Sequence, residues 1–181
     1  MTLNVLPGVP LAGTLSLTFV PVTSGEGSFD INAPSVDLAT DSTAIVAQCL
    51  IPSGTYTGVT TEANQIRKGR ACTTVPYYVK GEETVNVERV QVVYDPQDMA
   101  KPISKAYAAL VPGTQWYMID RRGKSGQTAL AAADLVDIYK VEVIARNKPY
   151  SDDEGAEAVA DILFTFLGEK VEDKALVDDE S

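Results

Sequence analysis

The sequence predicts a mainly-β domain with one helix packed across a sheet. Apolar and polar residues alternate through several short runs, the pattern of half-buried strands. Breaks such as Pro52-Ser53-Gly54 and Pro112-Gly113 stop the runs. Only Asp98–Val111 repeats its apolar residues at helical spacing.

Leu15–Val20 sets Leu15, Leu17 and Phe19 against Ser16, Thr18 and Val20, which predicts a half-buried strand. Thr43–Ile51 is a short apolar run ending at Pro52 and predicts the next strand. Val75–Val79 and Val85–Tyr94 flank Lys80-Gly81-Glu82-Glu83 and predict a hairpin turning there. The apolar phase slips at Glu88-Arg89, which predicts a bulge. In Asp98–Val111, the residues Met99, Ile103, Tyr107, Leu110 and Val111 share a side, with Pro102 near the start. Strands follow at Thr114–Asp120 and Asp134–Ala145, and Thr128–Asp134 has the makings of a helical turn. Ala156–Leu167 closes the domain with Ala160, Ile162, Phe164 and Phe166 on one face.

The chain has 181 residues, 45% hydrophobic and 22% charged, enough for one domain with a buried core. Three arms are expected: residues 1–14, the polar stretch 54–74, and the acidic C-terminal stretch 169–181. No apolar run approaches the length of a membrane span. Met1–Val20 is apolar without the basic start of a secretory signal, so assembly inside a cell is expected. Cys49 and Cys72 then default to reduced thiols, small and at least half-buried.

There is no histidine, which removes the commonest general base and metal ligand. No metal, cofactor or catalytic role is expected. Arg121-Arg122-Gly123-Lys124-Ser125-Gly126 contains Gly-Lys-Ser, but Met118 stands where a phosphate loop needs its first glycine. A solvated turn, or arginines at a subunit contact, accounts for it better. Asp152-Asp153-Glu154-Gly155 lacks the ligand spacing of a calcium loop. Glu82-Glu83 and Asp134/Asp137 read as surface charges.

The net charge is −10, and Ser151–Ser181 alone holds 11 acidic and 2 basic residues. A protein gripping nucleic acid by its phosphates shows the opposite bias. Arg67-Lys68-Gly69-Arg70 is the one basic cluster in the 54–74 arm and has no interleaved aromatics. Pairing between this arm and the acidic C-terminal segment of a neighbouring copy is the assembly contact the charges favour. The candidate contact residues are Arg67, Lys68, Arg70, Arg121, Arg122, Asp152, Asp153, Glu154, Glu169, Glu172, Asp173 and Leu176.

Several phrases resemble tail tube (major tail) proteins of long-tailed bacteriophages, especially those of actinobacteria. They are Asn32-Ala33-Pro34-Ser35-Val36-Asp37-Leu38, the Cys49/Cys72 pair, Tyr94-Asp95-Pro96-Gln97, and Asp120-Arg121-Arg122-Gly123 followed by Ala133-Asp134-Leu135-Val136-Asp137. Ala133 stands where the family usually has glycine. The resemblance spans roughly Ile31 to Val177 and carries no catalytic residue. It implies a β-sandwich-like subunit in stacked six-membered rings, with strands of all subunits joined in one barrel around a lumen for double-stranded DNA. It also implies partnership with itself and with tape measure, terminator and distal tail proteins, no membrane, and a place in the virion tail after assembly in the host cytoplasm. The alternatives are another ring-forming phage part (a terminator, connector or contractile-system tube) or a β-sandwich binding module.

Overall fold

The computed structural model describes residues 13–23, 28–69, 75–87, 89–151 and 156–178. Eight strands form a six-stranded antiparallel sheet and a separate two-stranded hairpin. The strands are β1 (Ser16–Pro21), β2 (Ile45–Val46), β3 (Val59–Lys68), β4 (Tyr77–Val87), β5 (Val90–Val93), β6 (Gln115–Arg121), β7 (Leu135–Asn147) and β8 (Val159–Ala175). The large sheet runs β2-β1-β6-β7-β8-β5, and β3 pairs only with β4. The helices are α1 (Val36–Thr40) and α2 (Lys105–Ala109), the latter preceded by a 3₁₀ turn at Pro102–Ser104. Among the described residues no helix is long and apolar enough to cross a membrane.

Alternation along the strands splits the apolar residues between two cores. Leu17 and Phe19, Trp116 and Met118, Val141 and Val143, and Ile162 and Phe164 meet β5 and α2 in the first. Phe19 stacks on Phe164 at 5.5 Å and Tyr94 on Tyr107 at 4.5 Å. Val20, Tyr117, Ile119, Val136 and Ile138 face the other way and pack with Phe29, Ala39, Leu130 and Leu176 in the second. A second core explains why β1 is buried on both faces rather than one: Ser16 and Thr18 are covered as well as Leu17 and Phe19.

The helix expected over Asp98–Val111 forms within that segment, from Pro102 to Ala109. Tyr107 and Leu110 are buried, whereas Met99, Ile103 and Val111 stay exposed outside or at the rim of the short helix. Thr43–Ile51 is not one strand. It gives the two-residue β2 and then a 3₁₀ turn at Gln48–Leu50, which leaves Cys49 exposed. Cys72 lies outside the described residues. Ala132–Ala133 is a simple turn rather than a helical one.

The expected hairpin turn at Lys80–Glu83 is also overturned. β4 runs straight through it, and the pairing with β3 shifts register between Ala63 and Gln65. A Cβ on Gly81 would lie 2.9 Å from the Asn64 carbonyl oxygen, so this glycine permits close approach at an irregularity instead of turning the chain. The phase slip at Glu88-Arg89 has a different cause from a bulge. Val87 ends β4 in the hairpin and Val90 opens β5 in the large sheet, so the chain changes sheets there. Glu88 itself is outside the described residues.

Ala133, where the resemblance implies glycine, has φ +64°. Its N–H donates to the Leu176 carbonyl at 2.9 Å, so the left-handed turn is held by the fold. An L-residue is strained there by about 1–2 kcal/mol, part of which glycine loses again through its freer unfolded chain. Ala133→Gly is therefore expected to raise stability by about 0.5–1 kcal/mol, measured by urea denaturation.

Candidate assembly interface

The 54–74 stretch is an arm, but not a loop: its centre is the ten-residue strand β3. Polar and apolar residues alternate too weakly in Thr60–Lys68 to show a buried face, because almost none of it is buried. At its base Val59, Val85 and Val87 pack against the first core. Farther out Ile66, Tyr77 and Tyr78 are 49%, 42% and 60% exposed, and Val75 is 74% exposed. A two-stranded ribbon of this kind is marginal in water by itself. Apart from their pairing with each other, β3 and β4 have no sheet partner among the described residues. β8 likewise pairs with β5 only over Val159–Ile162, so beyond Ile162 its edge has no ladder partner on that side among the described residues.

Two polar ties hold the ribbon to the domain. Lys170 of β8 reaches Glu83 of β4 at 2.6 Å and Glu172 at 3.3 Å, while Lys80 also pairs with Glu83. Hydrogen bonds from Lys170 and Lys80 hold Glu83 down at about 2. At the other tie, the Tyr56 hydroxyl donates to Asp120 at 3.3 Å and Arg122 donates to the same carboxylate at 2.7 Å. Burial and then Asp120 push the Tyr56 phenol up, and hydrogen bonding to Asp120 holds Arg122 charged. Nearby Asp137 is pushed up by burial and by Asp120, Asp173 and Glu172, against the pull of the Asp173 N–H.

The predicted contact residues separate into distinct groups. Arg67 and Lys68 lie exposed at the far end of β3, with no ion-pair partner among the described residues. Arg70, Asp152, Asp153 and Glu154 lie outside the described residues. Arg122 is partly exposed beside Asp120. Glu169 pairs with Lys140, and the Asp173 N–H donates to Asp137 at 2.9 Å.

Arg121 and Leu176 have no surface to offer a neighbour, being 1% and 2% exposed. Arg121 is not in a solvated turn. Its guanidinium donates to Asp134 and to the carbonyls of Ser125, Thr128 and Ala129, all at 2.7–2.9 Å. Asp134 is equally buried and also takes Lys124, so it is not a surface charge. The Gly-Lys-Ser loop is thus closed on its own chain. The Gly126 N–H donates to Gly13, and a Cβ on Gly126 would fall 2.3 Å from the Leu15 carbonyl oxygen.

The acidic C-terminal arm is, as far as Ala175, the second half of β8. Leu176 then enters the second core and Val177 bridges Ser35. The charges do not drive this stretch off because Lys140 of β7 pairs with Glu169, Lys170 pairs with Glu172 and Glu83, and Val171 and Leu176 anchor it. β4 of the ribbon, which lies outside the 54–74 arm, meets this segment within one chain. There the ribbon supplies the acid, Glu83, and the segment the base, Lys170. No sequence pattern marks that pair, since partners 87 positions apart become neighbours only through folding.

Comparison with curated proteins yields no significant match. A family model described as phage tail tube protein matches residues 6–176, nearly the whole chain. Together with the mainly-β fold, this match makes the chain a member of the phage tail tube protein family.

Proposed function

We propose that this structural subunit of the virion tail acts as a single tail tube domain. It forms hexameric rings that stack around a lumen conducting double-stranded DNA. The observation that carries this reading is the pair of long, unpaired backbone edges on β3–β4 and on β8. Exposed edges of this length invite association unless another strand covers them. β3, β4, β7 and β8 have 10, 11, 13 and 17 residues, longer than every other described strand. Four such strands from each of six copies make a barrel of about 24 strands. At ~4.8 Å spacing and ~40° tilt its wall is roughly 45–50 Å across, wide enough for a duplex inside the side chains. Closure pairs every edge, and an acidic subunit does not hold phosphates by counterion release.

In this reading the subunit assembles in the host cytoplasm, binds copies of itself, and meets tape measure, terminator and distal tail proteins. It touches DNA without sequence preference and carries no cofactor. The exposed groups at Arg67, Lys68, Arg122, Glu169, Glu172 and Asp173, together with Arg70, Asp152, Asp153 and Glu154 outside the described residues, are the candidates for contacts between copies. Concentrated protein is expected to form tubes by electron microscopy, with mass rising in hexameric steps in a concentration series. A strict monomer at high concentration, without tubes, overturns the proposal; single rings that never stack favour a connector or terminator.

A further inference from the structure

A groove of about 610 Å³ opens beside the 3₁₀ turn of Gln48–Leu50. Gly13, Leu15, Gln48, Cys49, Ile51 and Tyr56 line it, and no charged side chain among the described residues does. The Gln48 Oε1 is buried, with no hydrogen-bond donor among the described residues.

We infer that this groove seats the chain's own N-terminal segment, Met1–Ala12. The segment enters from the groove wall, because Gly13 is a lining residue pinned there through the Gly126 N–H at 2.9 Å. Gly13 has φ +73°, which lets the chain reverse direction at that point without strain. The twelve residues before it carry no charged side chain and hold Leu3, Val5, Leu6, Val9 and Leu11, matching an uncharged groove. Pro7 and Pro10 restrict the backbone and so lower the entropy lost on seating. Twelve extended residues reach about 40 Å, ample to cross the groove and return. Tethering to the rim gives the segment a high effective concentration over any competing chain.

Cys49, on the groove wall and free, is a built-in reporter. In a Cys72→Ser background, single variants Leu3→Cys, Val5→Cys, Leu6→Cys, Val9→Cys and Leu11→Cys are oxidised at low protein concentration and run on a non-reducing gel. The expected result is a disulfide to Cys49 within one chain, with yield peaked at one or two positions. Adding Val5→Asp to a cross-linking variant at another position is expected to cut that yield several-fold, because a carboxylate does not enter an apolar groove unpaired. A flat yield along the segment, or a yield insensitive to Val5→Asp, shows mere tether proximity and overturns the inference. Cross-links only between chains, seen as ladders, assign the groove to a second copy and overturn it equally. These readouts use the subunit before assembly, so they are independent of whether tubes form.

Discussion

Asp134→Ala is expected to lower the stability of the folded subunit by about 3–5 kcal/mol, the cost of stranding a buried charge. Arg121 is 1% exposed, and its side chain knits the loop from Ser125 to Asp134 by four hydrogen bonds. Its Nε already has no partner among the described residues, so no spare acceptor there waits to take over when the carboxylate goes. For a domain of this size the loss corresponds to a melting-temperature drop of roughly 10–15 °C. Asp134→Asn keeps an acceptor for Arg121 but removes the charge, so it should fall between wild type and alanine. Calorimetry of the three proteins checks the order; an alanine variant within about 1 kcal/mol of wild type contradicts a supporting role for the pair.

The pH dependence follows from the same site. Burial pushes the Asp134 carboxyl up, but hydrogen bonds from Lys124, Arg121 and the Ala131 N–H together hold it below its ordinary range. A carboxylate lowered by folding contributes its full stabilisation above its unfolded value and loses it as pH falls through the folded one. The difference between wild type and Asp134→Ala should therefore be largest near neutral pH and shrink in acid.

The second large effect is on assembly. Reversing Arg67, Lys68 and Arg70 together to glutamate is expected to raise the concentration needed for tube growth at least ~10-fold, while the monomer stays folded. Arg67 and Lys68 are exposed, so reversing them removes no packing within the subunit. Exposed ion pairs contribute only ~0–1 kcal/mol each, and reversal turns attraction into repulsion. Three such changes readily exceed the 1.4 kcal/mol that corresponds to a factor of ten. Acidic groups remain available on the other side, with Asp173 and Asp178 exposed and Glu172 half-exposed. Wild-type assembly should also weaken with salt, as the contact is screened. Normal tubes from the reversed protein, by microscopy and sedimentation, would refute this pairing without touching the tube assignment. Deleting Glu169–Ser181 is not an equivalent test, because it removes half of β8 and Leu176 from the core. Trimming Asp178–Ser181 leaves both intact.

The strands that line the first core were legible because each exposes one apolar face at period two. Leu17/Phe19 and Ala160/Ile162/Phe164 sit where alternation places them, and the family match spans residues 6–176, most of the chain. The helix was legible in position and too long in extent. Tyr107 and Leu110 found a sheet to cover them, and Met99, Ile103 and Val111 did not. β3 escaped notice because a strand with no buried face leaves no alternation to read.

By itself, then, the sequence determined the mainly-β class, the main core faces and membership of the tail tube family. Only the tertiary structure decided what each charge does. Arg121 and Asp134 read as solvated charges when seen along the chain, and become a buried pair because β6 and the turn before β7 close over them. Glu172 and the bases around it read as a loose acidic tail. They become part of a strand because Lys140 and Lys170 pair with its acids and Leu176 pins its end. Local pattern records which residues prefer to leave water. Which elements arrive to cover them, and which opposite charges are brought within 3 Å, depend on contacts between residues far apart in sequence, and those exist only once the chain has folded.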